Sequence, residues 1–389
     1  MLDFDYLLPD EKIAKFPLSP RDSSKLLVCR KGQISHHQFS NLPDLLPPHS
    51  LLVLNETQVV PARIFFTRPS GKIIEVFVLN PADPSINANI ALQAKSPIAF
   101  TCLVGGRKAW KPDQTLSLSL PNCTLSCSWL NRDNNTISFE WDNDELSFSE
   151  ILHEIGQIPL PPYLNRDWEE SDRENYQTVY ARYKGSVAAP TAGLHFTDRV
   201  FEELRNRNFK TLFTTLHVGA GTFLPVKSDL AQEHRMHHEQ IVLDIEFLRQ
   251  LQKHEGPVVP VGTTSCRLLE SIYWLGAKIH AEPNAEFIIE QSDAYSIPII
   301  PKDKALQNVI DYMTNRNMSV WSGLSALYIM PGYSFRMTDA LITNFHQPKS
   351  TLLLLIASLI GDDWKKVYTQ ALESDYRFLS YGDSSLLIP

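Results

Sequence analysis

Two patterns of apolar spacing divide the chain. From near Arg63 to near Ser147, apolar residues tend to fall at every second position, as in Lys72-Ile73-Ile74-Glu75-Val76-Phe77-Val78-Leu79. A period of two places apolar side chains on one face of a pleated strand. The turn clusters Pro69-Ser70-Gly71, Pro81-Ala82-Asp83-Pro84 and Asn131-Arg132-Asp133-Asn134-Asn135 separate these runs. Short strands at regular intervals predict a small β-barrel or sandwich, and no helix is expected there. Elsewhere strands and helices alternate. Thr197 can cap a helix beginning Asp198-Arg199-Val200-Phe201, and residues 211–218 read as a strand closed by Gly219-Ala220-Gly221. A strand over 258–261 runs into Gly262-Thr263-Thr264-Ser265 and then a helix with apolar periodicity over 268–275. The longest apolar stretch, 351–360, follows a capping Ser350 and precedes Gly361. It is too short to cross a bilayer and reads as a buried helix. The expectation is an α/β major domain, residues 1–62 and 149–389, interrupted by an inserted all-β, barrel-like domain at 63–148.

Composition narrows the picture. With 389 residues and 43% hydrophobic content, two domains are expected. A formal net charge of -8 argues against a protein that coats nucleic acid non-specifically. It leaves room for a local basic patch on an RNA enzyme. The five cysteines, Cys29, Cys102, Cys123, Cys127 and Cys266, form no framework and read as reduced thiols in a cytoplasmic protein. The acidic start Met1-Leu2-Asp3-Phe4-Asp5-Tyr6 is not a signal peptide. No membrane association is expected. His234, His237 and His238, with Glu233 and Glu239, suggest a metal site, but the spacing is not H-E-x-x-H and no third ligand is evident. They read as a polar wall, with no metal.

Four segments carry more glycine and polar residues than a purely structural chain needs. Residues 185–197 are small and precede a helix, so a ligand can approach their backbone closely. Leu216-His217-Val218-Gly219-Ala220-Gly221-Thr222-Phe223 puts a histidine and glycines at a strand end. Gly262-Thr263-Thr264-Ser265-Cys266-Arg267 offers hydroxyls at a strand-to-helix junction, without the lysine of a P-loop. Ile342-Thr343-Asn344-Phe345-His346-Gln347-Pro348-Lys349-Ser350 is a polar junction ahead of the buried helix. Taken singly, each is also compatible with an ordinary loop, a structural histidine or a capped helix.

Together with Phe4-Asp5-Tyr6-Leu7-Leu8-Pro9, Pro20-Arg21-Asp22-Ser23-Ser24-Lys25, Pro61-Ala62-Arg63, Ile158-Pro159-Leu160-Pro161-Pro162-Tyr163 and the run from Tyr376 to Asp383, these segments form a recognisable series. In this order, and nearly end to end, the chain resembles the S-adenosylmethionine:tRNA ribosyltransferase-isomerases of queuosine synthesis. Glu56, Gln58, Lys15-Phe16, Gly323-Leu324-Ser325 and the inserted β region depart from the family pattern.

The resemblance implies an enzyme that moves the ribosyl unit of S-adenosylmethionine onto 7-aminomethyl-7-deazaguanine at the tRNA wobble position and isomerises it. The product is epoxyqueuosine, and adenine and methionine leave. S-adenosylmethionine is then a co-substrate, and no cofactor is required. The expected acid–base residues are His195, His217 and His346, with Asp383 as a further candidate. Thr191, Ala192, Gly193, Phe196, Gly219, Gly221, Thr222, Gly262, Thr263, Thr264 and Asn344 are expected around S-adenosylmethionine. Arg63, Tyr163, Arg166, Arg267, Arg336, Lys349 and Arg377 are expected to meet the tRNA. A monomer is expected. Two rivals share parts of this picture: an S-adenosylmethionine-dependent tRNA methyltransferase, and a non-catalytic RNA-binding protein.

Overall fold

The computed structural model describes residues 2–83, 86–219, 234, 236 and 238–389. Its α/β part is built on two sheets. The larger has the strand order Val258–Pro260, Leu51–Asn55, Lys210–His217, Glu239–Asp244, Val320–Ser325, Ile288–Ile289. The first three run parallel. All five residues of Leu51–Asn55 are buried. A parallel strand covered on both faces reads as a continuous apolar run, as Leu-Leu-Val-Leu does here. The smaller sheet has the order Leu341–Asn344, Ser384–Ile388, Lys25–Arg30, Gln33–Gln38. Its parallel pairing of Lys25–Arg30 with Ser384–Ile388 ties the two ends of the chain together.

The two sheets meet where Val261 bridges Ile342 in parallel and the Gly262 N–H donates to the Ile342 carbonyl at 2.7 Å. Strands ending at Pro260, His217 and Asn344 thus release their following loops into one region. Ligand sites form at such carboxyl edges. Helix Thr263–Ala281 starts there and is buried along most of its length. Helix Thr351–Ile360 is buried as expected, with Ser350 Oγ accepting from the Leu353 N–H at 3.2 Å. Thr197 caps Asp198–Asn206 in the same way. No helix among the described residues is long and apolar enough to cross a membrane.

The strands between Arg63 and Trp141 form a six-stranded antiparallel sheet in the order Arg63–Thr67, Ile73–Pro81, Ile98–Gly105, Thr136–Trp141, Thr124–Asn131, Leu116–Ser119. Along Ile73–Pro81 the side chains of Ile74, Val76 and Val78 are buried and alternate with more exposed neighbours. Their own apolar core includes Phe100, Trp110 and Phe139. Two details differ from expectation. A helix, Ala88–Leu92, lies where none was foreseen, with Asn87 accepting from the Asn89 N–H. Five residues are too few to show a helical period. The sheet's core also extends past residue 148. Ser147 caps Phe148–Ile155, and Phe148, Ile151 and Leu152 pack into the sheet's core, as do Val60, Ala62 and Val187. The sheet's core is therefore completed by Val60, Ala62, Ile151, Leu152 and Val187, which the sequence pattern assigns to the other unit.

Candidate active site

A cleft of about 320 Å³ lies at the junction of the two sheets. Its wall takes Ala188 to Ala192 from one loop, Val218 and Gly219 from the next, and Gly262 to Thr264 and Arg267 from the start of Thr263–Ala281. The stretch from Thr343 to Leu352 supplies Thr343, Asn344 and His346 to Leu352, while Tyr163, Tyr176, Leu379 and Ser380 close another side. All four segments singled out in the sequence thus contribute to the cleft, the first through Ala188 to Ala192 and the second through Val218 and Gly219. Gly221, Thr222 and His237 lie outside the described residues.

Two helices begin at the cleft wall. The first unshared N–H groups of a helix carry partial positive charge and bind anions. At Thr263–Ala281 the first described intrahelical acceptor is the Gly262 carbonyl, taken by the Cys266 N–H, which leaves Thr263 and Thr264 at the open end. Gly262 makes this turn at φ +88°, a region that favours glycine. At the second helix Ser350 satisfies Leu353, and Thr351 and Leu352 form the open end.

Asn344 connects the cleft to a buried histidine. Its Nδ2 donates to the Leu379 carbonyl at 3.1 Å and lies 3.2 Å from His195 Nε2. The carbonyl fixes which end of the amide is the donor. His195 Nε2 is then the acceptor, its ring proton sits on Nδ1, and Nδ1–H donates to Ser24 Oγ at 2.8 Å. Burial, with the nearby charges of Arg377 and Arg21, pushes the His195 imidazole down to about 3. It is neutral at physiological pH. Asn344 Oδ1 is buried and has no partner among the described residues. A buried acceptor of this kind is costly until a donor reaches it.

The sequence-derived acid–base residues are not equivalent. Only His346 stands in the cleft wall. Its Nε2 lies 2.9 Å from Thr343 Oγ1, its N–H donates to Tyr368 OH and its carbonyl accepts from Tyr6 OH. Desolvation holds it at about 3. His195 sits behind Asn344, stacked on Phe39 with ring centroids 5.0 Å apart. His217 is buried under Gly185, where an added Cβ would lie 2.6 Å from His217 Cε1. Its Nδ1 lies 2.9 Å from Thr57 Oγ1, and burial lowers it to about 4. Asp383 is buried and accepts from the Lys25 and Arg377 N–H groups at 3.0 and 2.8 Å, away from the cleft wall. Of the three histidines expected around the sugar and the further candidate Asp383, His346 lines the cleft, and His195, His217 and Asp383 lie behind its wall.

Among the expected S-adenosylmethionine contacts, Thr191, Ala192, Gly219, Gly262, Thr263, Thr264 and Asn344 line the cleft. Gly193 and Phe196 do not. Gly193 packs under Tyr180, whose OH would be 2.0 Å from an added Cβ, and Phe196 lies in an aromatic group with Phe39, Tyr180 and Phe201. The expected tRNA contacts are dispersed, and most are engaged. Arg166 chelates Asp172 at 2.6 and 2.7 Å, Arg63 pairs with Glu75 at 2.6 Å and Arg377 with Asp383 at 3.5 Å. Arg336 lies over Tyr273. Arg267 and Lys349 do line the cleft, paired with Glu239 at 3.0 Å and Asp5 at 2.8 Å. Tyr163 lines it too, bonded to Ser380 at 2.6 Å.

Sequence reasoning placed Ala188 and Ser380 only within longer segments and gave no role to Tyr176 or to the cleft-lining Thr351 and Leu352. The capping Ser350 could have indicated the last two, since a capped helix start is an anion site whatever its side chains. His234 and His238 line the cleft, as a polar wall requires, and His238 Nε2 lies 3.4 Å from Glu290. Among the described residues no group of three or more His, Cys, Asp or Glu could hold a metal.

Comparison with known proteins adds the family. A family described as queuosine biosynthesis protein matches residues 1–387. An S-adenosylmethionine:tRNA ribosyltransferase-isomerase of Azoarcus sp. (strain BH72) is 38% identical over 99% of this chain and 96% of its own length. The protein of that name from Anaeromyxobacter sp. (strain Fw109-5) is 37% identical over 99% and 98%. A crystal structure of S-adenosylmethionine tRNA ribosyltransferase from Thermotoga maritima covers 99% of this chain and 100% of its own, at 26% identity and TM-score 0.48. On the match of the whole sequence, from the first residue to the third from the end, this chain belongs to the queuosine biosynthesis family.

Proposed function

We propose that the chain transfers and isomerises the ribosyl unit of S-adenosylmethionine onto 7-aminomethyl-7-deazaguanine in the tRNA wobble position, releasing adenine and methionine. The observation that carries this reading is the meeting of the glycine, threonine, asparagine and histidine segments in one cleft, in a chain matched over its length by enzymes of that name. S-adenosylmethionine is a co-substrate in this reading, and no further cofactor is called for. Its carboxylate suits the open helix start at Thr263 and Thr264. Asn344 Oδ1 suits a hydroxyl or amine donor on the ribosyl unit or the incoming base. His346 is the residue we assign to proton transfer, because it alone of the four candidates faces the cleft. An anionic group bound beside it raises its proton affinity. His195 acts through Asn344 as a positioning residue. Arg267, Lys349 and Tyr163 are the tRNA-side residues we retain, since they line the cleft.

Three further readings accompany this. We read 63–148 as an inserted, barrel-like domain, and the protein as a cytoplasmic monomer.

The decisive experiment incubates the purified protein with S-adenosylmethionine and tRNA carrying the deazaguanine base. Free adenine and methionine are the expected products. S-adenosylhomocysteine in their place would mean methyl transfer, and no consumption of S-adenosylmethionine would leave only RNA binding.

A further inference from the structure

We propose that one end of the six-stranded antiparallel sheet, remote from the cleft, is a docking surface for RNA phosphates. Three turns meet at that end: the one joining Arg63–Thr67 to Ile73–Pro81, the one following Ile98–Gly105, and the one joining Thr124–Asn131 to Thr136–Trp141. Register places them together, since Glu75 pairs with Gly105 and the Asn135 carbonyl accepts from the Cys102 N–H. They bring Arg68, Lys72, Arg107, Lys108, Lys111 and Arg132 to one edge.

The charge gathered at this edge is not balanced locally. None of the six cations forms an ion pair among the described residues, whereas Arg166, Arg267, Lys349 and Arg377 all do. The carboxylates carried by the same turns are Asp113 and Asp133, and nearby Glu75 is already matched by Arg63. In a chain with net charge -8, unmatched cations gathered at one edge create a local positive potential that the whole-chain charge conceals. The opposite end carries Asp83, Asp142, Asp144 and Glu145 against Lys95, so the sheet is polarised along its strands.

Two of the cations are held in place. Arg107 donates to the Arg132 carbonyl at 2.6 Å, and Arg132 donates back to the Arg107 carbonyl at 3.4 Å. Both guanidinium groups lie over the Trp129 ring, at 5.9 and 5.8 Å from its centroid. These contacts fix position without neutralising charge, which suits a phosphate-binding pair. Lys72, Lys108 and Lys111 are exposed beside them.

The position suits a long ligand. The far end of the sheet touches the α/β part, where Gln240 bonds with the Ala88 N–H and the Ile86 carbonyl, one residue from Glu239 of the cleft wall. The basic edge is one strand length away, about 25 Å for eight residues. An RNA whose modified base enters the cleft has backbone to span that distance. The occupant is therefore the tRNA of the proposed reaction, gripped away from its reacting base, and the inference rests on that reading.

The test measures binding of tRNA carrying the deazaguanine base across a range of salt concentrations. The variant Lys72→Gln/Lys108→Gln/Lys111→Gln removes three exposed charges with no described structural bond, and Arg107→Gln/Arg132→Gln removes the held pair. With the lysine variant, tRNA Kd should rise roughly three- to tenfold and the salt slope should fall by about one per lost phosphate contact. The arginine variant should add to this, and the KM for S-adenosylmethionine should stay as in the wild type. An unchanged Kd and salt slope in the lysine variant would overturn the docking surface, even if the wild type releases adenine normally. Binding of the wild type to phosphatidylserine vesicles, lost in the same variant while tRNA affinity is kept, would overturn it in favour of a lipid surface. If wild-type protein neither binds this tRNA nor releases adenine, the proposed reaction fails, and the surface with it.

Discussion

At the residue scale, His195 and His346 show how one side-chain type takes two tasks. His195 is enclosed between Ser24, Phe39 and Asn344, and its geometry requires an acceptor at Nε2 and a donor at Nδ1. Glutamine can offer the same pair without titrating. His195→Gln should therefore keep kcat/KM within a few-fold of the wild type, while His195→Ala should lose roughly ten- to a hundredfold by freeing Asn344. Steady-state adenine release measures both, and equal loss in the two variants would show that His195 itself moves protons. Stability gives a second readout. Folded values of about 3 for His195 and about 4 for His217 lie below the unfolded imidazole value. The unfolded chain thus binds more protons between those values and pH 6.5. Stability is full above that pH and falls as the solution is acidified, by about 2 kcal/mol for each of these histidines at pH 5. Urea midpoints at pH 7 and pH 5 should show the difference, and His195→Gln should reduce it. The sequence could mark both histidines as unusual. It could not show that His195 faces inward, because the short 3-10 segment Thr191–His195 passes from the cleft at Thr191 and Ala192 to the core at His195 without an apolar period to follow.

At the element scale, the helix starts are where sequence and structure agree most closely. Ser350, Thr197 and the Gly262-Thr263-Thr264 junction all occupy the termini their residue types favour. Capping is a local property, so it can be read without knowing the fold. Pairing is different. The antiparallel sheet was legible from its period of two, yet the joining of Val261 to Ile342 depends on residues 81 positions apart. Nothing local announces it, although it is what brings the Gly262 and Asn344 loops together. The five-residue helix Ala88–Leu92 went unseen for the opposite reason, being shorter than any period. The helix start at Thr263 yields an expected outcome of its own. A Thr263→Val/Thr264→Val change keeps the helix shape and removes two hydroxyl donors beside the open N–H groups. Affinity for S-adenosylmethionine, measured by calorimetry, should fall roughly tenfold, with tRNA affinity retained. The reverse pattern would place the tRNA, and not the co-substrate, at this helix.

At the scale of the whole molecule, packing crosses the boundary drawn from apolar spacing. Phe148, the last residue of the β unit as drawn, starts the helix Phe148–Ile155 and is fully buried against the sheet, and Ile151 and Leu152 beyond that boundary pack with it. The Phe148 ring stacks on Phe100 at 5.1 Å and on Trp141 at 5.8 Å and meets Phe139 at 4.9 Å. The same helix leads to Gln157, whose backbone exchanges two hydrogen bonds with Arg63 at the sheet's first strand. From there the chain passes through Ile158 and Leu160, both buried, to Tyr163 in the cleft wall. One continuous segment thus closes the sheet's core and borders the catalytic cleft. Phe148→Ala should remove about 3–5 kcal/mol from the sheet's stability. Because the segment is shared, the loss should also reach the cleft: thermal unfolding should begin at a lower temperature, and S-adenosylmethionine should restore less of the lost stability than it adds to the wild type. If calorimetry instead shows the sheet melting early while the ligand-induced gain in Tm stays at its wild-type size, the two parts are energetically separate, and the helix Phe148–Ile155 serves the sheet alone.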